Sequence, residues 1–415
     1  MLKNKSTMRP SHPEVASYNH SFNRAIPEQI QPLVNDRNVA DQTRLQVRDA
    51  LYSHVVAPPE NIYTPTNGKE TIDVGGQGIT FEVRKRKIKV GEREHEVAET
   101  IVEPKDVRVA ETHIILGGYS VNTPHYYQNF IPFAVTGIRY VFINLLGGGT
   151  EEYANRSKRI SLLGGKTNID NDYLREAAEQ ISNLIEEFND SPIALEGYSL
   201  GGLIVSKALA RPDLLPDRHV RRINGVNLDA PVPTGAFPLG TGMHLLKMVG
   251  TSVAHGFSGA FGASAEIGEE VLGKLMMPEL RVMAHEGEDD NPFKIKAEAT
   301  IREVNAACFR ATGVFPELVS QLDRDPLVKM SKDKKIQDHR DLVSRIPIKV
   351  IFRPGDKTVP ANEIFKMVKR WAKSGYQASL IKSRYKSDSH MDLPGFQYFL
   401  TWQNGHGQAG RLSPR

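Results

Sequence analysis

The sequence predicts an α/β fold, a mostly parallel central sheet flanked by helices, on three observations. Six short apolar runs have the length and β-branched content of strands: ETHIILGG (111–118), YVFINLLGG (140–148), PIALEGYS (192–199), INGVNLDAP (223–231), IPIKVIFRPGD (346–356) and YQASLIKSRY (376–385). Helical-period segments alternate with them, which predicts βαβ crossovers and a sheet covered on both faces. The 415 residues are 40 % hydrophobic and 25 % charged, an ordinary globular balance that builds a full core. Disorder throughout, a collagen-like repeat and a disulfide scaffold are thereby excluded.

Residues 1–75 carry Pro10, Pro13, Pro27, Pro32, Pro58, Pro59 and Pro65 and no sustained apolar period, so they are expected to form a partly disordered N-terminal arm. Val39, Leu45, Val47 and Leu51 permit one short helix over 38–55. From Ile79 to Val102, β-branched residues on both sides of Gly91 predict an antiparallel hairpin. Its basic run, Arg84 to Lys89, fits a solvated face or a guarded edge better than an anion patch.

Among the helices, 172–188 places Leu174, Ala177, Ala178, Ile181, Leu184, Ile185 and Phe188 on one stripe, with acids opposite and Asp170 or Asp172 as cap. Residues 201–210, stopped by Pro212, form a second helix, and 361–373 a third. Residues 233–345 interrupt the alternation without strand-like runs. They are expected to be a helical cap inserted over the carboxyl edge of the sheet, where open α/β folds bind ligands. The first part of the cap, 242–277, is rich in Met, Gly and Ala, which suits an adaptable apolar surface as well as ordinary packing. The expected division is thus the arm over 1–75, core over 76–232, cap over 233–345, core over 346–402 and a flexible tail over 403–415.

Several motifs fail on context. GHGQAG (405–410) fits the dinucleotide glycine pattern but has only a tail behind it, and LLGGKT (162–167) lacks the first glycine of a phosphate loop, with Ile160 in its place. His285-Glu286 has Asp289 where a second zinc-binding histidine belongs, and GFSGA (256–260) ends on Ala260 rather than glycine. No metal or organic cofactor is expected.

GYSLG (197–201) succeeds on context. An apolar strand runs into it and a helix follows, so Ser199 must sit in a sharp turn with its hydroxyl at a helix N-terminus. A neutral serine needs a base, and the base needs an orienting carboxylate. Asp356 directly follows the strand KVIF, and His390 follows the last strand in KSDSHMDLPG. The long interval between Ser199 and Asp356 holds the cap, and the short one from Asp356 to His390 holds one βα unit. Asp229, ending its own strand, is the alternative acid. Oxyanion donors are expected from the backbone N–H of Leu200 and from the LGGYS loop (116–120), through Tyr119 or Gly118.

GYSLGG, PGDKTVP and SHMDLPG resemble the nucleophile, acid and histidine segments of the α/β-hydrolase superfamily, over about residues 79–400. Gly117-Gly118 departs from the His-Gly common there, and neither the arm nor the cap matches a known relative. The resemblance implies a serine hydrolase, esterase- or lipase-like, cleaving a carboxylic ester through an acyl-serine. An acyltransferase, a thioesterase or amidase, and a non-catalytic binding protein of the same fold are the alternatives.

The remaining expectations concern surroundings. No apolar stretch reaches the roughly 18–20 residues that cross a bilayer, and the start, Met1 to Lys5, has no signal-like apolar core behind it. The single Cys308 suits a reducing compartment. These point to a cytoplasmic protein, with export by a route lacking such a signal as the alternative. A net charge of +4, from 53 basic against 49 acidic residues, gives no reason to expect nucleic acid. The expected partner is a small-molecule or lipid ester, with peripheral membrane contact through the cap.

Overall fold

The computed structural model describes residues 68–74, 77–90, 93–118, 134, 137–143, 174–233, 327–328, 333–356 and 359–382. Nine strands form one sheet in the order β1-β2-β3-β5-β4-β6-β7-β8-β9. Three of them come first and run antiparallel: β1 (Gly68–Val74), β2 (Gln77–Val90) and β3 (Arg93–Pro104). Strand β3 joins β5 (Ile138–Ile143) antiparallel across residues 99–102. From β5 onward the sheet is parallel through β4 (Glu111–Leu116), β6 (Ile193–Tyr198), β7 (Ile223–Asp229), β8 (Ile348–Phe352) and β9 (Ala378–Lys382).

The helices are α1 (Arg175–Glu187), α2 (Leu200–Leu209), α3 (Asp217–Val220), α4 (Lys334–Ser344) and α5 (Ala361–Lys373). The expected stripe of α1 is buried in full, and Glu176, expected on the polar side, is buried with it. All ten residues of α2 are buried, as its apolar sequence requires. Helix α4 was not singled out within 233–345. Asp333 caps it through Lys335 N–H at 2.8 Å, and His339 ties it to Asp217 of α3 at 2.6 Å and to the Leu209 carbonyl at 2.9 Å. The last part of the segment expected to be cap therefore packs on the core helices.

Strand β1 was missed too, because GKETIDV carries only two apolar residues; pairing with β2 along its whole length defines it. In the hairpin, Arg84 and Arg86 face inward electrostatically. Arg84 grips Glu99 at 2.9 Å and Glu187 at 2.6 and 2.8 Å, while Arg86 pairs with Glu99 at 3.3 Å and with Glu187. Burial opposes the charge on Glu99 and raises its carboxyl pKa against the pull of both arginines. These arginines fix the hairpin to the end of α1, so their first role is structural.

The steps β5→β6, β6→β7, β7→β8 and β8→β9 all advance the same way across the sheet, whereas β4→β5 runs back. The winding therefore reverses between neighbouring β4 and β6, and it is outside the carboxyl ends at such a reversal that sheets of this kind bind ligands.

The arm through residue 67, the turn at Gly91, Asp170 and Asp172, the insertion over 234–326 with Cys308, and everything beyond 382 lie outside the described residues.

Candidate active site

Ser199 stands at that reversal, between β6 and α2. Its φ of 51° and ψ of −112° lie where a residue with a Cβ is strained by about 1–3 kcal/mol. Four backbone bonds impose the conformation. The Ser199 N–H donates to the Asp229 carbonyl at 2.9 Å, and the Ser199 carbonyl accepts from Gly202, Leu203 and Val232 at 3.1, 3.3 and 3.0 Å.

The glycines around it permit contacts that no side chain would. A Cβ on Gly197 would lie 2.6 Å from Gly202 Cα, and one on Gly201 would run into the carbonyl oxygens of Leu116 and Gly117. Helix α2 is thus seated directly on the end of β4. Gly118 lies against the same turn: a Cβ there would be 2.8 Å from the Tyr198 ring and 3.2 Å from Ser199 Cβ. The loop expected to supply an oxyanion donor lies against the serine, and Leu200 opens α2 on the other side. Tyr119 lies outside the described residues.

Both candidate acids reach the same edge. Asp356 is buried after β8; its N–H donates to the Arg353 carbonyl at 3.2 Å, and its Oδ1 accepts from the Val359 N–H at 2.8 Å. Asp229 is buried at the end of β7, and its Oδ2 accepts from Arg353 Nη2 at 2.9 Å. His390 lies outside the described residues.

A buried polar cluster upstream was not anticipated. His113 on β4 pairs through Nδ1 with Glu196 on β6, lies 3.5 Å from Glu111 through Nε2, and meets the Tyr140 ring edge-on at 5.4 Å. Burial works against a charged imidazole, but Glu196 and Glu111 outweigh it and raise the pKa of His113 to about 10. Burial lowers that of Lys349 to about 8, against the attraction of Glu111. The signal was present in the sequence, since Glu111, His113 and Glu196 interrupt apolar runs at alternate positions, as residues on one strand face do.

Among the described residues, no group of three or more His, Cys, Asp or Glu side chains is arranged to hold a metal ion, and no helix is long and apolar enough to cross a membrane.

No protein-family model matches the chain, and no curated protein matches it. Solved structures do. An acylaminoacyl peptidase of Pyrococcus horikoshii is similar at 11% identity and TM-score 0.40, over 81% of this chain and 43% of that one. This chain therefore spans less than half of the peptidase. A bacterial membrane phospholipase A is similar at 13% identity and TM-score 0.47, over 78% and 84% of the two chains. A thermostable carboxyl esterase of Bacillus coagulans is similar at 13% identity and TM-score 0.43, over 78% and 98%. The chain itself has the α/β fold expected from its sequence: a mostly parallel sheet flanked by helices that reverses its winding between β4 and β6 and places a strained serine at the reversal.

Proposed function

We propose that the protein is a serine hydrolase that cleaves a carboxylic ester through an acyl-serine intermediate. The observation that carries this reading is the conformation of Ser199: a strained, non-glycine turn held by four backbone bonds at the reversal of the sheet. Strain of this kind persists only where surrounding structure over-determines it, and it collects at functional sites.

In the proposed mechanism Ser199 Oγ attacks the ester carbonyl while His390 takes its proton. The N–H groups of Leu200 and of Tyr119 or Gly118 stabilise the oxyanion. His390 then protonates the departing alcohol, and water repeats the sequence to release the acid. Asp356 orients His390; the engagement of Asp229 with Arg353 favours Asp356 over it. The Met-, Gly- and Ala-rich first part of the insertion, residues 242–277, is the proposed acyl pocket and peripheral membrane contact.

Labelling with a fluorophosphonate tests the reading. The native protein should label, and Ser199→Ala and His390→Ala should not. Failure of the native protein to label where a control serine hydrolase does, with no turnover of short or long p-nitrophenyl esters, would sink it. Asp356→Asn should lower turnover by about 10³- to 10⁴-fold, and Asp229→Asn by far less. A clear preference for acetate along the ester series would remove the acyl-pocket proposal while leaving the triad.

A further inference from the structure

Arg353 immediately follows β8, and none of the chemistry above uses it. It is 1% exposed, as secluded as the apolar core. A guanidinium in such a place is costly unless bonded, and its neighbours are not arbitrary. Nη2 donates to Asp229 Oδ2 at 2.9 Å, and the guanidinium carbon lies 5.8 Å from the centre of the Tyr198 ring. The carbonyl of Arg353 accepts the N–H of Asp356.

Each contact leads to a different segment of the site. Tyr198 immediately precedes Ser199, and its ring is the surface against which Gly118 lies. Asp229 receives the Ser199 N–H on its carbonyl, and the next residue, Ala230, has a φ of 40° and bonds back to the Ile351 carbonyl at 2.9 Å. Asp356 is the proposed acid. We propose that Arg353 is a positioning residue: its side chain locks the end of β7 to the aromatic floor of the serine turn, and its carbonyl holds the acid loop in the same register. The catalytic consequence rests on the acyl-serine reading; the mechanical one does not. Removing the guanidinium should let the serine turn and the acid loop drift apart, and a misplacement of about 1 Å can cost about 10²-fold in rate.

The test combines amide hydrogen exchange with kinetics on the full chain, using Arg353→Met, Arg353→Lys and the double variant Arg353→Met/Asp229→Asn. In Arg353→Met, exchange should quicken about tenfold or more in peptides covering 196–203, 229–233 and 353–359, with 175–187 unchanged. The rate of fluorophosphonate labelling and kcat for a p-nitrophenyl ester should fall about tenfold or more with KM nearly constant. The double variant should regain part of both, because position 229 no longer carries a buried charge from which the guanidinium has been removed. Unchanged exchange in the three segments overturns the proposal, and quickened exchange with an unchanged labelling rate reduces Arg353 to a structural residue. Should Arg353→Met fail to fold, Arg353→Lys, which keeps the charge and loses the planar guanidinium, decides by the same two readouts. If the native protein does not label, the acyl-serine reading fails separately, and the exchange experiment still decides whether Arg353 holds the three segments together.

Discussion

One face of the parallel sheet is chiefly apolar, and the other sets charged and polar side chains among apolar ones such as Ile115, Phe142 and Ile351. On one face Ile114, Leu116, Val141, Leu195, Leu228 and Val350 belong to a single apolar core with the buried stripes of α1, α2 and α5. On the other, alternate residues of the same strands include Glu111, His113, Tyr140, Glu196, Asn227 and Lys349, continuing to Asp229 and Arg353. Apolar packing is non-directional, so the first face fixes which elements come together without fixing their register finely. Hydrogen-bonded charges are directional, and those on the second face link the strands that end at the site. His113 joins β4 to β6, and Arg353 joins β8 to β7. Fold stability thus rests mainly on one face and alignment of the site mainly on the other.

The largest stability effect should come from the apolar face. Trp371 on α5 is fully buried, and Trp371→Ala should cost about 3–5 kcal/mol in denaturant unfolding, while activity per folded molecule stays near that of the native protein. Equal loss of activity per folded molecule would break the division. On the polar face, Glu196→Gln should cost about 3 kcal/mol by removing one of the two carboxylates that face a buried, charged histidine. It should also slow labelling at Ser199, three residues away.

A pH series sharpens the contrast. The pKa of His113 rises from an ordinary 6.5 to about 10 on folding, so its contribution is complete below about 6.5 and is lost as pH climbs towards 10. Lys349 behaves in the opposite sense: its pKa falls from 10.5 to about 8, so its contribution is present above 10.5 and is lost as pH drops through 8. For these two groups stability should fall between pH 6.5 and 8, then level between 8 and 10 where they oppose each other. His113→Gln should abolish the fall, and Lys349→Met should extend it to pH 10, both read from urea midpoints. The smallest effect belongs to neither face. Lys69, exposed and 3.7 Å from Glu82 on the antiparallel edge, should change stability by no more than about 0.5 kcal/mol when replaced by Ala.

Legibility in the sequence followed contact range. GYSLGG was readable because strand, turn and helix are adjacent in the chain and the steric demand for glycine at 197 comes from 201 and 202, whereas the demand at 201 comes from the end of β4. Helix α5 runs over 361–373 as its apolar period required, and β4, β6, β7 and β8 fall inside the apolar runs. Strand β1 was hidden because an edge strand needs few apolar residues once a neighbour supplies its hydrogen bonds. Helix α4 was hidden inside a long segment whose only signal was the absence of strands.

The sequence by itself determined the alternation of strands and helices, the strained position of Ser199 and the placement of two aspartates at strand ends, because backbone sterics and apolar periodicity act over a few residues. Tertiary structure alone decided that the winding reverses between β4 and β6, that Gly118 lies against Ser199, and that Arg353 engages Asp229. The pair Arg353 and Asp229 is separated by 124 residues and His113 and Glu196 by 83. No local pattern encodes such partners; they meet because the apolar face has already brought their strands side by side, where an unpaired buried charge would be too costly to keep.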